Sequence, residues 1–243
     1  MRQSAVILGV GPERGLGAAL ARRFAREDLA VFVAGRTPEK LEITAEAIRK
    51  AGGVAIPVVT DATKEKDVLA LFEKLNADDF SLVLAAYTVD RNASAPLLDT
   101  DVETFTSLWQ QNTLAGFLFG REAARQMLKT GCPGTILFTG ATASLRTRPP
   151  FTAFSVAKTG LRALASGMAR EFGPKGLHVA HVVIDGVIDG ERAHRDFPEL
   201  VQIKGPEGLI QPDAIAETYW QIHCQSPSAW TQEIDLRPFK EAF

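Results

Sequence analysis

The N-terminal stretch constrains the fold of this chain more than any other part of the sequence. Residues 5–8 form an apolar run that is typical of a buried strand. A glycine-rich turn follows, and apolar side chains then recur every four positions, as on one face of a helix: Leu16, Leu20 and Phe24. The chain is therefore expected to begin with a strand that turns tightly into a helix.

The glycines of this turn have the spacing of a wider relative of the dinucleotide-binding fingerprint: Gly11, Gly15 and Gly17, with Gly9 just before them. A helix that starts at such a turn presents free N–H groups and its positive dipole end to an anion. Glycine also lets backbone approach a pyrophosphate with no Cβ in the way. Because many strand–helix turns are glycine-rich for packing reasons, the spacing alone leaves both interpretations open.

Strand and helix patterns alternate along the rest of the chain. Further strands are predicted at 30–34, 54–59, 82–86, 134–140, 177–184 and 230–236. Further helices are predicted at 37–51, 64–75, 101–129, 151–172 and 213–224, with a short one at 191–203. This alternation predicts an α/β fold with a doubly wound parallel sheet of Rossmann type, in three α/β/α layers.

Composition limits the functional classes that need to be considered. The 243 residues carry a formal net charge of −2 with scattered Lys and Arg, which gives no electrostatic footprint for nucleic acid. Cys132 and Cys224 form neither a metal-ligand pattern nor a disulfide framework. No stretch approaches the length of a membrane span, and no signal peptide is evident. We expect one domain over residues 1–243, located in the cytoplasm, with a mobile substrate-side segment at 186–212.

Nearly the whole chain resembles the short-chain dehydrogenase/reductase family. In that family the glycine loop binds the cofactor pyrophosphate, and an Asp after the third strand contacts the adenine. Asp61 matches that Asp, although it also fits an acid at a helix N-terminus before Lys64. The resemblance implies the following cofactor-binding residues: Gly11, Arg14, Gly15, Leu16, Gly17, Arg36, Asp61, Ala62, Thr88, Lys158, Gly186 and Ile188.

The end of the second strand predicts which cofactor is used. An enzyme that selects NAD places a carboxylate there for the ribose 2′-hydroxyl, whereas an Arg accommodates the 2′-phosphate of NADP. The chain has Gly35 and Arg36 at this point, and Arg14 lies within the glycine loop. Guanidinium groups pair with phosphate in a bidentate way, so we expect NADP(H) to be preferred over NAD(H). The alternative is that both arginines are simply exposed.

The catalytic residues of the family are only half present. Asn112 and Lys158 match the family Asn and Lys, but Phe154 stands at the position of the Tyr and Ala141 at that of the Ser. Together with Phe151, these two residues are expected to line the substrate cleft. Neither side chain can donate a proton, and one of several nearby hydroxyls could replace the lost ones: Thr139, Thr142, Ser144, Thr152 and Ser155.

Two further positions depart from the family pattern. The loop after the fourth strand, Asn-Asn-Ala-Gly in relatives, corresponds to residues 87–90 by spacing or to 84–87 by alignment on the strand, and we prefer the first register. The Pro-Gly that follows the sixth strand is Asp185-Gly186 here. Tyr87 and Asp185 are the ionisable side chains that the resemblance places near the nicotinamide, so each is a candidate substitute acid.

These residues lead to three hypotheses. The first is an NADP(H)-dependent oxidoreductase with an atypical site that transfers hydride to a carbonyl or conjugated enoyl small molecule. The second is a catalytically inactive NADP-binding sensor or non-catalytic subunit, and the third is a scaffold that no longer binds cofactor. The resemblance also implies a homodimer or homotetramer that pairs through the helices predicted at 101–129 and 151–172. No metal, nucleic acid or membrane partner is expected.

Overall fold

Seven parallel strands form one sheet in the part of the chain that the structure, a computed structural model, describes: residues 2–77 and 80–241. The strands are β1 (Arg2–Leu8), β2 (Ala30–Gly35), β3 (Val54–Val59), β4 (Phe80–Tyr87), β5 (Gly134–Ala141), β6 (Leu177–Ile184) and β7 (Glu233–Leu236). Their spatial order is β3-β2-β1-β4-β5-β6-β7. The strand order reverses between β1 and β4, and ligands of such sheets bind at that switch point.

Nine α-helices cover the sheet within the described residues. They are α1 (Leu16–Ala25), α2 (Pro38–Lys50), α3 (Glu65–Ala77), α4 (Val102–Trp109), α5 (Ala115–Thr130), α6 (Thr152–Phe172), α7 (Glu191–Asp196), α8 (Pro198–Lys204) and α9 (Pro212–His223). One buried apolar cluster joins the sheet to α1, α2 and α9, and a second joins it to α3, α5 and α6. The predicted three-layer α/β/α arrangement of Rossmann type is therefore confirmed.

The predicted long helix at 101–129 is interrupted in the middle. Asp101 caps α4 by accepting a hydrogen bond from the Thr104 N–H at 2.6 Å. Residues 110–114 then form a π-helical turn that joins α4 to α5. Such turns insert one extra residue into a helix and are frequent at functional sites. Asn112 lies in this turn.

The C-terminal third is more regular than the sequence predicts. Within residues 186–212 the helix expected at 191–203 is divided at Phe197 into α7 and α8, and Ile188 forms an isolated parallel bridge with Ile210. In contrast, β7 is shorter than the predicted strand at 230–236. The mobility expected for residues 186–212 remains a prediction.

Candidate active site

The turn after β1 depends on Gly9, which the sequence pattern placed just outside the predicted loop. Gly9 has φ +115°, and a Cβ there would lie 2.6 Å from both the Thr88 Oγ1 and the Val89 N. The N–H groups of Gly9 and Val10 both donate to the Ala34 carbonyl at 2.9 Å. A side chain at residue 9 would therefore separate β1 from the loop after β4, where the crevice of the switch point lies.

The predicted loop glycines have different local environments. A Cβ on Gly17 would lie 2.8 Å from the Val10 Cα, and one on Gly15 would lie 2.9 Å from the Pro12 carbonyl oxygen. Leu16 begins α1 and is buried. In contrast, a Cβ on Gly11 would meet no described atom within 4 Å. Packing thus explains Gly15 and Gly17, whereas Gly11 faces open space that a ligand could fill.

Arg14 connects the glycine loop to the segment after β6. Its carbonyl accepts from the Glu191 N–H at 3.0 Å, and its guanidinium lies 3.5 Å from an oxygen of Asp189. Arg36 is exposed at the end of β2, and its side chain makes no hydrogen bond or ion pair with another described residue. The two arginines predicted to share one phosphate therefore have no common partner among the described residues. Arg36 is more available than Arg14 to bind a ligand.

Packing explains why residue 35, at the end of β2, is a glycine and carries no carboxylate. A Cβ at Gly35 would lie 2.5 Å from the Val10 carbonyl oxygen and 3.3 Å from the Leu41 side chain. Backbone cannot yield to such a contact without moving the whole turn after β1. The longer glycine turn and the missing acid are thus two parts of one packing arrangement.

Asp61 makes the contacts expected of its alternative role, an acid at a helix N-terminus before Lys64. Its carboxylate accepts from the Thr63 hydroxyl at 2.8 Å and from the Thr63 N–H at 3.1 Å, and it lies 3.4 Å from the Lys64 ammonium. Although partial burial opposes ionisation, these donors lower the pKa of Asp61 below its ordinary value. Ala62 is buried in the apolar cluster on the α3 side of the sheet. The adenine contact of both residues remains a prediction.

The loop after β4 begins at Thr88, because residues 84–87 lie within the strand. The Thr88 N–H donates to the Leu8 carbonyl at 2.8 Å. This position of the loop agrees with the register that the spacing from Asp61 favours. The Tyr87 hydroxyl donates to the Gln111 carbonyl at 2.5 Å, and burial together with the negative charge of Asp90 raises the pKa of Tyr87 well above its ordinary value. Tyr87 is therefore poorly suited to the role of substitute acid.

Lys158 is buried at the carboxyl end of the sheet, and only 1% of its surface is exposed. Its ammonium lies 2.9 Å from an oxygen of Asp90 and donates to the Thr139 carbonyl at 3.3 Å. The ring of Phe154, one helical turn earlier on α6, has its centroid 5.7 Å from the same nitrogen. The second oxygen of Asp90 lies 3.2 Å from Arg192 of α7. Although burial opposes ionisation, Lys158 and Arg192 hold the pKa of Asp90 below its ordinary value.

Asn112 is fully buried in the π-helical turn beside this ion pair. Its side-chain N–H groups donate to the carbonyls of Leu108 and Arg91, both at 3.0 Å. Its side-chain oxygen has no hydrogen-bond partner among the described residues. Asn112 therefore connects α4 to the loop that carries Asp90, and it leaves one buried acceptor open to a donor.

Ala141, Phe151 and Phe154 belong to one small apolar cluster. The nearby hydroxyls are oriented elsewhere: Thr139 is paired with Tyr219 at 2.8 Å, and Thr142 donates to Asp185 at 2.6 Å. Ser155 is buried with no hydrogen-bond partner among the described residues. These three residues thus form part of an apolar cluster, Thr139 and Thr142 have other partners, and the substrate cleft expected here remains a prediction.

Asp185, the second candidate acid, is held by cations. Its carboxylate accepts from Thr142 and from Arg146 at 2.6 Å each, and Arg237 lies 3.3 Å away. Both carboxylate oxygens of Asp185 therefore already have donors. Gly186 follows with φ +156° and packs against Pro238 and Ile210, while Ile188 lies in the isolated bridge.

Two residues of this region were missed by the sequence analysis as functional candidates. The preferred register of the loop after β4 places Asp90 at the position of the family Gly. A charged residue at this position of the loop could have indicated a functional role. Arg192 lies in a segment with no motif, and nothing in its local sequence indicated its contact with Asp90. The sheet topology brings together Asn112, Lys158 and Phe154, but it leaves Asp61 and Arg36 on the β2–β3 side.

The fold and the site together define a class of protein. The strand order, the crevice at the switch point and the glycine turn are those of a Rossmann-type α/β domain. A family model described as short chain dehydrogenase matches residues 5–198. The chain therefore belongs to the short-chain dehydrogenase family, whose members are oxidoreductases that bind nicotinamide cofactors.

Individual relatives agree with this assignment. A short-chain dehydrogenase from Rhodopseudomonas palustris has a crystal structure with a TM-score of 0.83 and 38% identity, covering 98% of this chain and 99% of its own. A short-chain dehydrogenase/reductase of Hericium erinaceus is 31% identical over 73% of this chain and 72% of its own length. The A-factor type gamma-butyrolactone 1′-reductase of Streptomyces virginiae is 29% identical over 87% of this chain and 85% of its own length.

Within residues 2–77 and 80–241, none of the helices combines the length and the apolar character that crossing a bilayer requires.

Proposed function

We propose that this chain is an NADP(H)-dependent oxidoreductase with an atypical active site, which transfers hydride to or from a carbonyl or conjugated enoyl compound. The observation that carries the proposal is the burial of Lys158 and Asn112 together at the carboxyl end of the sheet, beside the crevice between β1 and β4. Asp90 is the counter-ion of Lys158, but the buried side-chain oxygen of Asn112 has no partner among the described residues, which is costly unless a ligand donates to it. The cytoplasm is the compartment we propose.

The residues present fit a nicotinamide cofactor. Gly11 borders open space at the turn, Arg36 is an exposed cation, and Asn112 keeps a buried acceptor; neither Arg36 nor the Asn112 oxygen has a partner among the described residues. When bound, the cofactor supplies the hydride that is transferred. The glycine turn would hold its pyrophosphate, Arg36 its 2′-phosphate, and Lys158 its nicotinamide ribose. Because Gly35 has no room for a carboxylate, NADP(H) is favoured over NAD(H).

The atypical part of the proposal concerns the proton. Phe154 and Ala141 replace the Tyr and Ser that relatives carry, and neither has a hydroxyl. A positioned general acid contributes roughly 10² to 10⁴ in rate, equivalent to about 3 to 5 kcal/mol of barrier. We therefore expect slow turnover of ordinary ketones and faster turnover of activated carbonyl or enoyl compounds. The apolar cluster around Phe151 favours an apolar substrate.

The first test is a titration of the purified protein with NADPH and NADH, followed by tryptophan-to-nicotinamide energy transfer and by thermal stabilisation. A nucleotide that binds only the folded state raises Tm by mass action. Arg36→Ala should raise the Kd for NADPH at least about tenfold, a loss of about 1.4 kcal/mol, and should leave the Kd for NADH within about twofold. Arg26→Ala, an exposed arginine at the end of α1, is the matched control.

Two results would overturn parts of this proposal. An equal loss of NADPH and NADH affinity in Arg36→Ala would show that Arg36 does not contact the 2′-phosphate. Binding of neither nucleotide by the wild-type protein would exclude the oxidoreductase proposal and leave the scaffold hypothesis.

A second candidate function is a non-catalytic NADP-binding sensor or subunit. The observation that favours it is the commitment of Thr139, Thr142 and Tyr87 to other partners, because none of these hydroxyls is available as a proton donor. Phe154→Tyr separates the two functions. A gain of carbonyl reduction in this variant, with none in the wild type under a broad screen of ketones and enals, would support the non-catalytic candidate.

A further inference from the structure

Asp90 stands at the centre of a three-part ion cluster that the family pattern does not contain. Its two carboxylate oxygens lie 2.9 Å from the Lys158 ammonium and 3.2 Å from the Arg192 guanidinium. Three elements thus meet at one side chain: the loop after β4, helix α6 and helix α7. A role of this cluster in cofactor binding rests on the proposed NADP(H) function.

The carboxylate of Asp90 retains capacity to accept further hydrogen bonds. A carboxylate offers about four lone-pair sites, and here two are used by cations. The Asp90 side chain is 37% exposed, whereas that of Lys158 is 2% exposed. An incoming polar group can therefore reach Asp90 while Lys158 stays in place.

The pair presents an acceptor and a donor side by side. Lys158 has three N–H donors and no acceptor, and ionised Asp90 accepts only. A vicinal diol has hydroxyls that both donate and accept, so it can bridge such a pair with one hydroxyl donating and its neighbour accepting. The nicotinamide ribose, which the proposed function assigns to Lys158, carries such a diol.

We propose that Asp90 is a positioning residue for the nicotinamide ribose, accepting a hydrogen bond from one hydroxyl while Lys158 donates to the adjacent one. Hydrogen bonds to charged groups are the stronger kind and are shorter than neutral ones. Arg192 completes the arrangement, because it holds the second oxygen of Asp90 and thereby connects α7 to the ribose-binding pair. The chain would thus replace the missing Tyr hydroxyl as a ribose contact by a carboxylate from another loop.

The test compares two nucleotides that differ at the nicotinamide end. NADPH carries the nicotinamide and its ribose, whereas 2′-phosphoadenosine 5′-diphosphate keeps the adenosine, the 2′-phosphate and the pyrophosphate but lacks both. Asp90→Asn should weaken NADPH binding by about tenfold, as expected for one lost charged hydrogen bond. Its Kd for the truncated nucleotide should stay within about twofold of wild type, and both values are measured by isothermal titration calorimetry.

Glu46→Gln is the matched control, since Glu46 forms a surface ion pair with Lys50 at 3.6 Å at the end of α2. It should bind both nucleotides as the wild type does. If Asp90→Asn fails to fold, Asp90→Glu allows the same comparison, because the longer side chain keeps the charge but moves the carboxylate. Its loss should again be confined to NADPH, at about threefold or more.

The outcomes separate this inference from the proposed function. Unchanged or tighter NADPH binding by Asp90→Asn, or an equal loss for both nucleotides, would overturn the role of Asp90 and leave NADP(H) binding intact. Absence of binding of both nucleotides by the wild type would overturn the proposed function and this inference together.

Discussion

His181 lies in β6 with none of its surface exposed, and one of its two ring nitrogens has a hydrogen-bond partner among the described residues. The ring Nδ1 is 3.0 Å from Glu233, which in turn accepts two hydrogen bonds from Arg162. Burial lowers the pKa of His181 to about 4, and the opposing effect of Glu233 does not compensate for it. His178, three residues earlier, faces the other side of the sheet and bonds to the Thr231 carbonyl at 2.8 Å, as the strand spacing predicts.

The buried His181 should make the protein less stable as the pH falls. In the unfolded chain a histidine takes up a proton near pH 6.5, whereas the folded chain resists protonation down to about pH 4. The unfolded state therefore binds more protons in that window, and the free energy of unfolding decreases as the pH falls. Between pH 7 and pH 5 this one group should remove about 2 kcal/mol.

Urea unfolding at pH 7, 6 and 5 measures this effect. His181→Gln should have a flatter pH profile than the wild type, whatever its stability at pH 7. Val182→Ala, a buried neutral substitution in the same strand, controls for destabilisation alone and should keep the wild-type slope. Parallel profiles for wild type and His181→Gln would show that His181 titrates normally in the folded protein.

At the scale of elements, the segment from Gly186 to Pro212 is connected to the glycine loop and to the loop after β4 by backbone and ionic contacts. One bridge joins Ile188 to Ile210, the Glu191 N–H donates to the Arg14 carbonyl, and ion pairs connect Asp189 to Arg14 and Arg192 to Asp90. Helices α7 and α8 have only six and seven residues. Segments with few buried apolar contacts open locally at a low free-energy cost.

We expect hydrogen exchange to report this opening and its coupling to the nucleotide. Amides of residues 186–212 should exchange faster than those of β4 and β5, and saturating NADPH should slow them by about tenfold because the segment lies on the glycine loop. The last turns of α5 serve as an internal control, since they lead into the start of β5 at the opposite edge of the sheet. Equal protection of residues 186–212 with and without NADPH would contradict the coupling.

At the scale of the whole molecule, α4 and α5 leave large apolar side chains uncovered. Val102, Phe105 and Trp109 are 81%, 39% and 41% exposed and are spaced three and four residues apart, so they share one face of α4. Phe117 on α5 and Val156 on α6 are 40% and 46% exposed. The prediction of a homodimer or homotetramer through these helices requires such a face.

Size-exclusion chromatography with light scattering tests the assembly. The wild-type chain of 26.3 kDa should elute as a dimer or tetramer, and Trp109→Glu should shift it toward the monomer, because a buried unpaired carboxylate is costly at an interface. Ile43→Glu replaces an apolar residue of α2 that is 50% exposed, and it should leave the assembly unchanged. A monomeric wild-type protein would contradict the prediction.

The fold was predictable because its signals are local. Apolar runs and four-residue spacing depend on neighbours in sequence. They correctly predicted the strands of the sheet and its three layers. The π-helical turn at residues 110–114 was missed because hydrogen bonds from Asn112 to Leu108 and to Arg91 stabilise it, and periodicity does not register the second of these contacts.

The sequence by itself determined the Rossmann-type sheet and the glycine turn, and it predicted one site for Asn112 and Lys158. Only the tertiary structure decided that Gly9 is the residue of the turn after β1 that has a positive φ. It also decided that Asp61 contacts Thr63 and Lys64, and that Asp90 joins Lys158 to Arg192. The reason is physical: periodicity reports which face of an element is buried, whereas an ion pair depends on where distant elements place their side chains. In this protein such non-local contacts define the chemistry that the site can support.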